Sequence, residues 1–140
     1  MKTAIKKAAQ ETHNIGKGVK VLVIDDDPFI LDMYVLKFRD AGFQIETAQD
    51  GEQGLQKIIS YQPDIVLLDV VMPKMDGFDV IKKIKNTIPK HSFRILFLTN
   101  FGQKEDVERG MELGADGYII KAHFTPTEVV EKVRELLESK

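Results

Sequence analysis

From Lys20 onward the chain alternates short apolar runs with longer stretches in which apolar residues recur every three to four positions. The runs are Lys20 to Ile24, Phe43 to Ala48, Ile65 to Leu68, Phe93 to Leu98 and Gly117 to Ile120. Four are apolar almost without interruption, as parallel strands covered on both faces must be, whereas "FQIETA" alternates and belongs at a sheet edge. Strand, helix, strand in repetition predicts one parallel sheet with right-handed crossovers. Helix starts fall between the strands: Asp27-Pro28, Asp50, Asp76, and the stretch "KEDVERGMEL" closed by Gly114. The last helix opens on Thr125-Pro126-Thr127-Glu128, an N-cap with proline at N1 and glutamate at N3. Taken singly, Asp27 and Asp76 read as helix caps, and Met72, Pro73 and Met75 as packing in a turn.

The 140 residues, 43% hydrophobic and 30% charged, suit one domain that buries roughly two thirds of its unfolded surface. No internal repeat or second domain breaks the pattern. With no cysteine, neither a disulfide framework nor a thiolate metal site is available, and a reducing, cytoplasmic setting is expected. No apolar run reaches the length of a membrane span, and residues 1–18 lack the apolar centre of a signal peptide. Residues 1–20 carry a net charge of +4 and the rest −6. Residues 1–18 are therefore expected to be a basic, solvated N-terminal extension, and residues 19–140 an acidic domain without a nucleic-acid-binding face. His13, His91 and His123 lack the spacing of a metal site and are assigned no role.

In an open parallel sheet, ligands bind at the carboxyl ends of the strands, where the strand order reverses. There the first strand ends in Asp25-Asp26-Asp27, the third in Asp69, the fourth in Thr99-Asn100 and the fifth in Lys121. Converging carboxylates repel and need a cation; a hard divalent ion such as Mg²⁺ takes one or two of them together with phosphate oxygens. A metal on one side of Asp69 and a lysine on the other suit phosphoryl transfer to the Asp69 carboxylate, with the Thr99 hydroxyl or a backbone N–H donating to a second phosphoryl oxygen.

The motifs "VLVIDDDP", "LLDVVMPKMDG", "ILFLTN" and "GYIIK" resemble, in order and spacing, the response regulator receiver domains of two-component signalling, over roughly residues 19–138. The resemblance implies a flavodoxin-like (βα)5 three-layer sandwich with sheet order 2-1-3-4-5. It implies Asp69 as phosphoacceptor, Asp26 on Mg²⁺ directly and Asp25 through water, and the Val71 carbonyl as a further ligand. Thr99 and Tyr118 would be the switch residues and Lys121 the phosphate-pairing lysine. A histidine kinase or phosphotransfer protein is the implied donor, and the surface of helix 4, strand 5 and helix 5 the implied output. The chain would be a monomer or a phosphorylation-dependent dimer. No output domain is expected after Lys140 unless the chain is a fragment, so a downstream protein target is expected, and no turnover substrate.

The first helix has more apolar residues than one face needs. With Asp32 and Arg39 toward solvent, Ile30, Leu31, Tyr34, Val35 and Phe38 face inward. Phe29, Met33 and Leu36 flank the solvent side and are expected to form a kinase docking patch, unless the helix is simply buried on a broad face. Two positions depart from the family pattern. Ala122 follows Lys121 where proline with a cis bond is usual, so a trans bond and an altered loop are expected. Asn100 stands where a very small residue is common; it either narrows access to Asp69 or adds a hydrogen-bond donor. Val71 and Phe101 cannot orient a hydrolytic water, so slow loss of phosphate is expected.

Three other readings stay open. A haloacid-dehalogenase-like phosphatase shares the nucleophile, metal and lysine, but needs an acid two residues after Asp69, where Val71 stands. A flavin or nucleotide carrier on the same fold would need glycines and hydroxyls after the first strand rather than "DDDP". A degenerate receiver would act as an interaction module alone.

Overall fold

The computed structural model describes residues 18–139. Apart from Gly18, the expected N-terminal extension and its His13 lie outside the described residues. The elements run β1 (Lys20–Ile24), α1 (Pro28–Asp40), β2 (Gln44–Ala48), α2 (Gly51–Tyr61), β3 (Ile65–Leu68), α3 (Gly77–Thr87), β4 (Arg94–Thr99), α4 (Lys104–Glu112), β5 (Gly117–Ile120), a 3₁₀ turn (Lys121–His123) and α5 (Pro126–Glu138). Two strands start one residue later than their apolar runs. Phe43 packs instead beneath Phe38, edge-on with ring centroids 5.3 Å apart.

All strand pairs are parallel, in the order β2-β1-β3-β4-β5. The alternating strand β2 lies at an edge, as its pattern predicts, but so does β5, whose apolar run alone would place it inside. Only Ile119 of β5 is fully buried; Gly117, Tyr118 and Ile120 are half-buried. The apolarity of β5 serves the two helices beside it rather than a further strand.

Along β1, alternate residues feed the two faces of the sheet. Val21 and Val23 meet Leu31, Tyr34 and Phe38 of α1 and Val129 and Val133 of α5. Leu22 and Ile24 meet Ile58 of α2 and Phe78, Ile81 and Ile84 of α3. The result is a three-layer sandwich. Each such fully buried aliphatic or aromatic side chain contributes about 1.5–3 kcal/mol over its exposed state.

The helix starts form as their residues require. Asp27 accepts from the Phe29 and Ile30 N–H groups, at 2.9 and 3.4 Å. Asp76 and Thr125 each close a capping box, with Asp79 and Glu128 respectively. The single-residue readings of Asp27 and Asp76 as caps therefore hold. Gly114 follows α4 with φ +103°, a conformation that favours glycine.

Candidate functional site

The site is built by backbone ladders before any side chain acts. Beyond the last paired residues of the strands, the Asp69 N–H donates to the Ile24 carbonyl at 3.0 Å and the Asp25 N–H to the Ala48 carbonyl at 3.0 Å. Each carboxylate thus leaves the sheet edge from a fixed backbone position. The turn after Asp69 folds back tightly: the Gly77 N–H donates to the Val70 carbonyl at 2.8 Å. A Cβ at Gly77 would strike the Asp69 carbonyl and lie 2.9 Å from the Val70 Cα, so only glycine fits behind the phosphoacceptor candidate.

Oxygens of Asp25, Asp26 and Asp69 lie within 4.8 Å of one another. Asp25 and Asp69 are buried, 2% and 7% exposed, whereas Asp26 faces solvent. Lys121 reaches in from the end of β5, its ammonium donating to Asp69 Oδ2 at 3.1 Å and also to Asp25 Oδ2. Three carboxylates against one ammonium leave a net local charge of −2. All the side-chain donors are hard oxygens, and one of the three faces water, so the set fits Mg²⁺, which binds few carboxylates and keeps several waters.

Burial is the largest influence on Asp25 and raises its carboxyl above the ordinary value of 3.8, against the Lys121 hydrogen bond and the Asp27 N–H, which lower it. For Lys121, burial pulls the ammonium down, but the hydrogen bond to Asp25 and the charge of Asp69 outweigh it and leave the group above its usual 10.5. Lysine therefore stays charged between the two buried acids.

A cleft of about 290 Å³ opens over Asp69, lined by Val71, Thr99, Asn100, Phe101 and Lys121. Thr99 is buried, and its Oγ1 accepts from the Phe101 N–H at 3.1 Å rather than facing a partner on Asp69. The Phe101 carbonyl in turn accepts from the Tyr118 hydroxyl. Tyr118 packs on Phe97, and Phe97 on Phe78, with ring centroids 5.3 and 5.5 Å apart. Burial foremost, then the charges of Asp106 and Asp69, push the Tyr118 phenol up to about 12.

The structure brings Asp25, Asp26, Asp69 and Lys121 together, with Thr99 at the same cleft and Tyr118 one loop away. The side chain of Val71 is exposed at the rim, and its N–H lies 3.4 Å from Asp69 Oδ1. Phe29, Met33 and Leu36 form no part of this cleft. They stand on the outer face of α1, 84%, 37% and 60% exposed, with Leu31, Tyr34 and Phe38 buried and Ile30 and Val35 half-buried behind them. Sequence reasoning missed how Asn100 is used. Its Oδ1 accepts from the Ala122 N–H at 2.9 Å, and the Lys121–Ala122 bond is trans, as expected. No local pattern signals a bond between residues 22 positions apart.

Compared with known proteins, residues 21–134 match the model of the response regulator receiver domain. The alkaline phosphatase synthesis transcriptional regulatory protein PhoP of Bacillus subtilis is 39% identical over 118 residues, 84% of this chain and 48% of that protein. The DNA-binding dual master transcriptional regulator RpaA of Synechocystis is 36% identical over the same length and shares. The chain thus spans about half the length of these curated relatives. Among solved structures, chemotaxis protein CheY4 of Vibrio cholerae superimposes with a TM-score of 0.78 at 32% identity, covering 85% of this chain and 98% of that one. With its sheet order, its acidic cluster and the match of residues 21–134 to the family model, the chain belongs to the response regulator receiver domain family of two-component signalling.

Proposed function

We propose that this receiver is a phosphorylation-controlled interaction protein in which Asp69 accepts a phosphoryl group from a phosphohistidine donor. The observation that carries the reading is the convergence of three carboxylates and one ammonium on Asp69 at the carboxyl edge of the sheet. An Asp69 oxygen attacks phosphorus in line; the P–O bond forms as the P–N bond breaks, and the imidazole leaves with the electron pair and is protonated. Asp26, Asp69 and the Val71 carbonyl, with Asp25 through water, would hold Mg²⁺, which when bound would supply charge neutralisation on the phosphoryl oxygens. Lys121 needs only a short swing from Asp69 Oδ2 to meet a second oxygen, and the Thr99 hydroxyl donates to a third.

The phosphoryl group adds about −1.5 to −2 charges to the cleft. Turning the Thr99 hydroxyl toward it breaks the bond from the Phe101 N–H, and the same residue's carbonyl holds Tyr118. Phosphorylation therefore shifts the β4–α4 loop and releases Tyr118, re-forming the α4–β5–α5 surface on which a downstream protein reads the signal. The exposed Phe29, Met33 and Leu36 on α1 form the face that docks the kinase or phosphotransfer protein. Output by binding rather than turnover agrees with Val71, an apolar side chain, where a dehalogenase-type phosphatase keeps its proton-shuttling acid.

Beryllofluoride with Mg²⁺ mimics an aspartyl phosphate and tests the switch by amide NMR. Shifts are expected at Thr99, Phe101 and Tyr118 and across α4, and none in an Asp69→Asn variant. Shifts confined to residues 25–27 and 69–71, with Tyr118 unmoved, would leave only a metal-binding module, and a degenerate receiver would be the better reading.

A further inference from the structure

We propose that Asn100 is a positioning residue for Lys121: its carboxamide oxygen holds the Ala122 N–H and so keeps the ammonium on the two buried carboxylates. The proposal rests on the reading of Asp69 as phosphoacceptor and deepens it.

The need for such a device follows from the shape of the sheet. An ammonium on a flexible four-carbon stem has no fixed direction of its own, so its position depends on the backbone that carries it. Here that backbone is the end of a four-residue edge strand. The β4–β5 ladder pairs its last residues at Thr99 and Ile120 and stops there, one residue short of Lys121. The chain then enters the Lys121–His123 turn. On the opposite strand the next residue is Asn100, and it bonds to the Ala122 N–H through its side chain, at 2.9 Å. A side chain thus adds one rung to the ladder where the backbone pairing has ended.

Two neighbouring contacts give this rung its leverage. The Tyr118 hydroxyl donates to the Phe101 carbonyl, and Gly102 packs so closely on the Ile120 side chain that a Cβ would overlap it. Both lie before Lys121 in the chain. Within the Lys121–His123 turn, the hydrogen bond from the Ala122 N–H to Asn100 ties the backbone just after Lys121 back to the residue that follows β4. Lys121 is therefore held from both directions. The device requires an N–H at position 122, which alanine has and proline lacks. The two residues that depart from the family pattern form a single unit.

The opposing account makes Asn100 a gate, because it also lines the cleft above Asp69. The two predict opposite signs. The rate of phosphoryl adduct formation from acetyl phosphate with saturating Mg²⁺ would be followed by intact mass in wild type, Asn100→Ala, Ala122→Pro and the double variant, alongside hydrogen exchange of the Ala122 amide in the proteins that retain it. A clamp predicts that Asn100→Ala slows the reaction about two- to twelvefold, the span of one net hydrogen bond. It also predicts faster exchange at Ala122, and no further loss when Asn100→Ala is added to Ala122→Pro. Faster adduct formation, or the same slowing in both backgrounds, would overturn it. If Ala122→Pro does not fold, Asn100→Asp keeps the acceptor and must keep the Ala122 amide protected; loss of that protection would overturn the clamp. An adduct formed equally fast in wild type and Asn100→Ala would sink the clamp alone. No adduct in the wild type would instead sink the phosphoacceptor reading and the clamp's role with it.

Discussion

Replacing Asp69 with asparagine is expected to stabilise the metal-free protein, although it breaks an ion pair. With an effective dielectric constant near 20, the Lys121 ammonium 3.1 Å away attracts the Asp69 carboxylate by about 5 kcal/mol. Asp25, with an oxygen within 4.8 Å, repels it by about 3.5 kcal/mol in the same medium. Asp26 is at a similar distance but exposed to water, and its share is about 2 kcal/mol at twice that constant. The charge terms therefore cancel to within about 1 kcal/mol. The remaining term decides the sign. Asp69 is 7% exposed, and taking a carboxylate out of water costs several kcal/mol that a neutral amide of the same shape largely avoids. Lys121 keeps its bond to Asp25 in the variant. A net gain of about 1–2 kcal/mol is expected, or a Tm higher by about 3–8 °C for a chain of this size. Thermal and urea unfolding in a chelator at low ionic strength measure it. Adding Mg²⁺ must then favour the wild type, by about 2.7 kcal/mol at a hundred times its Kd, and narrow or reverse the gap. An Asp69→Asn variant less stable than the wild type in chelator would show that Lys121 over-compensates the cluster and refute the reasoning.

All three tyrosines, Tyr34, Tyr61 and Tyr118, have phenols raised by burial above their ordinary value of 10.0. A raised pKa contributes stability that is complete below the unfolded value and lost as pH rises through the folded one. Ultraviolet titration of the folded protein should place the phenols above 10, with Tyr118 at about 12; all three ionising together at 10 with the fold intact would contradict the burial. Because Val71 and Phe101 present apolar side chains at the cleft, polar residues at both positions should speed loss of the phosphoryl group from the isolated adduct by about tenfold, one general-base contact falling short of its full worth. Slower loss in that variant would dismiss the argument. Phe29→Asp with Met33→Asp should leave acyl-phosphate labelling unchanged and lower kinase-dependent labelling at least about tenfold, as losing an interface anchor does; undiminished kinase transfer would remove α1 as the docking face.

The parts of this protein that were legible in the sequence are those set by local periodicity and strand polarity. Uninterrupted apolar runs announce β1, β3 and β4, and the caps at Asp27, Asp76 and Thr125 announce their helices. Strand ends alone place Asp25, Asp69 and Lys121 at one edge, because parallel strands put all their carboxyl ends together. What stayed hidden depends on partners far apart in the chain. An apolar run such as "GYII" reads the same whether its second neighbour is a strand or solvent beside two helices, so the edge position of β5 needed the family resemblance. The resemblance implies Lys121 as a phosphate partner, whereas its bridge between Asp25 and Asp69 is an arrangement only the geometry of the cleft reveals. The Asn100 bond to Ala122 joins two loops whose sequences carry no mutual signal.

The central claim, that Asp69 accepts a phosphoryl group in a Mg²⁺-dependent reaction, is tested most directly by intact mass after incubation with acetyl phosphate, with and without Mg²⁺, for the wild type and Asp69→Asn. The account predicts one phosphoryl adduct on the wild type, dependent on Mg²⁺ and absent from the variant. An adduct that persists in Asp69→Asn, or none on a folded wild type that binds Mg²⁺, would contradict it.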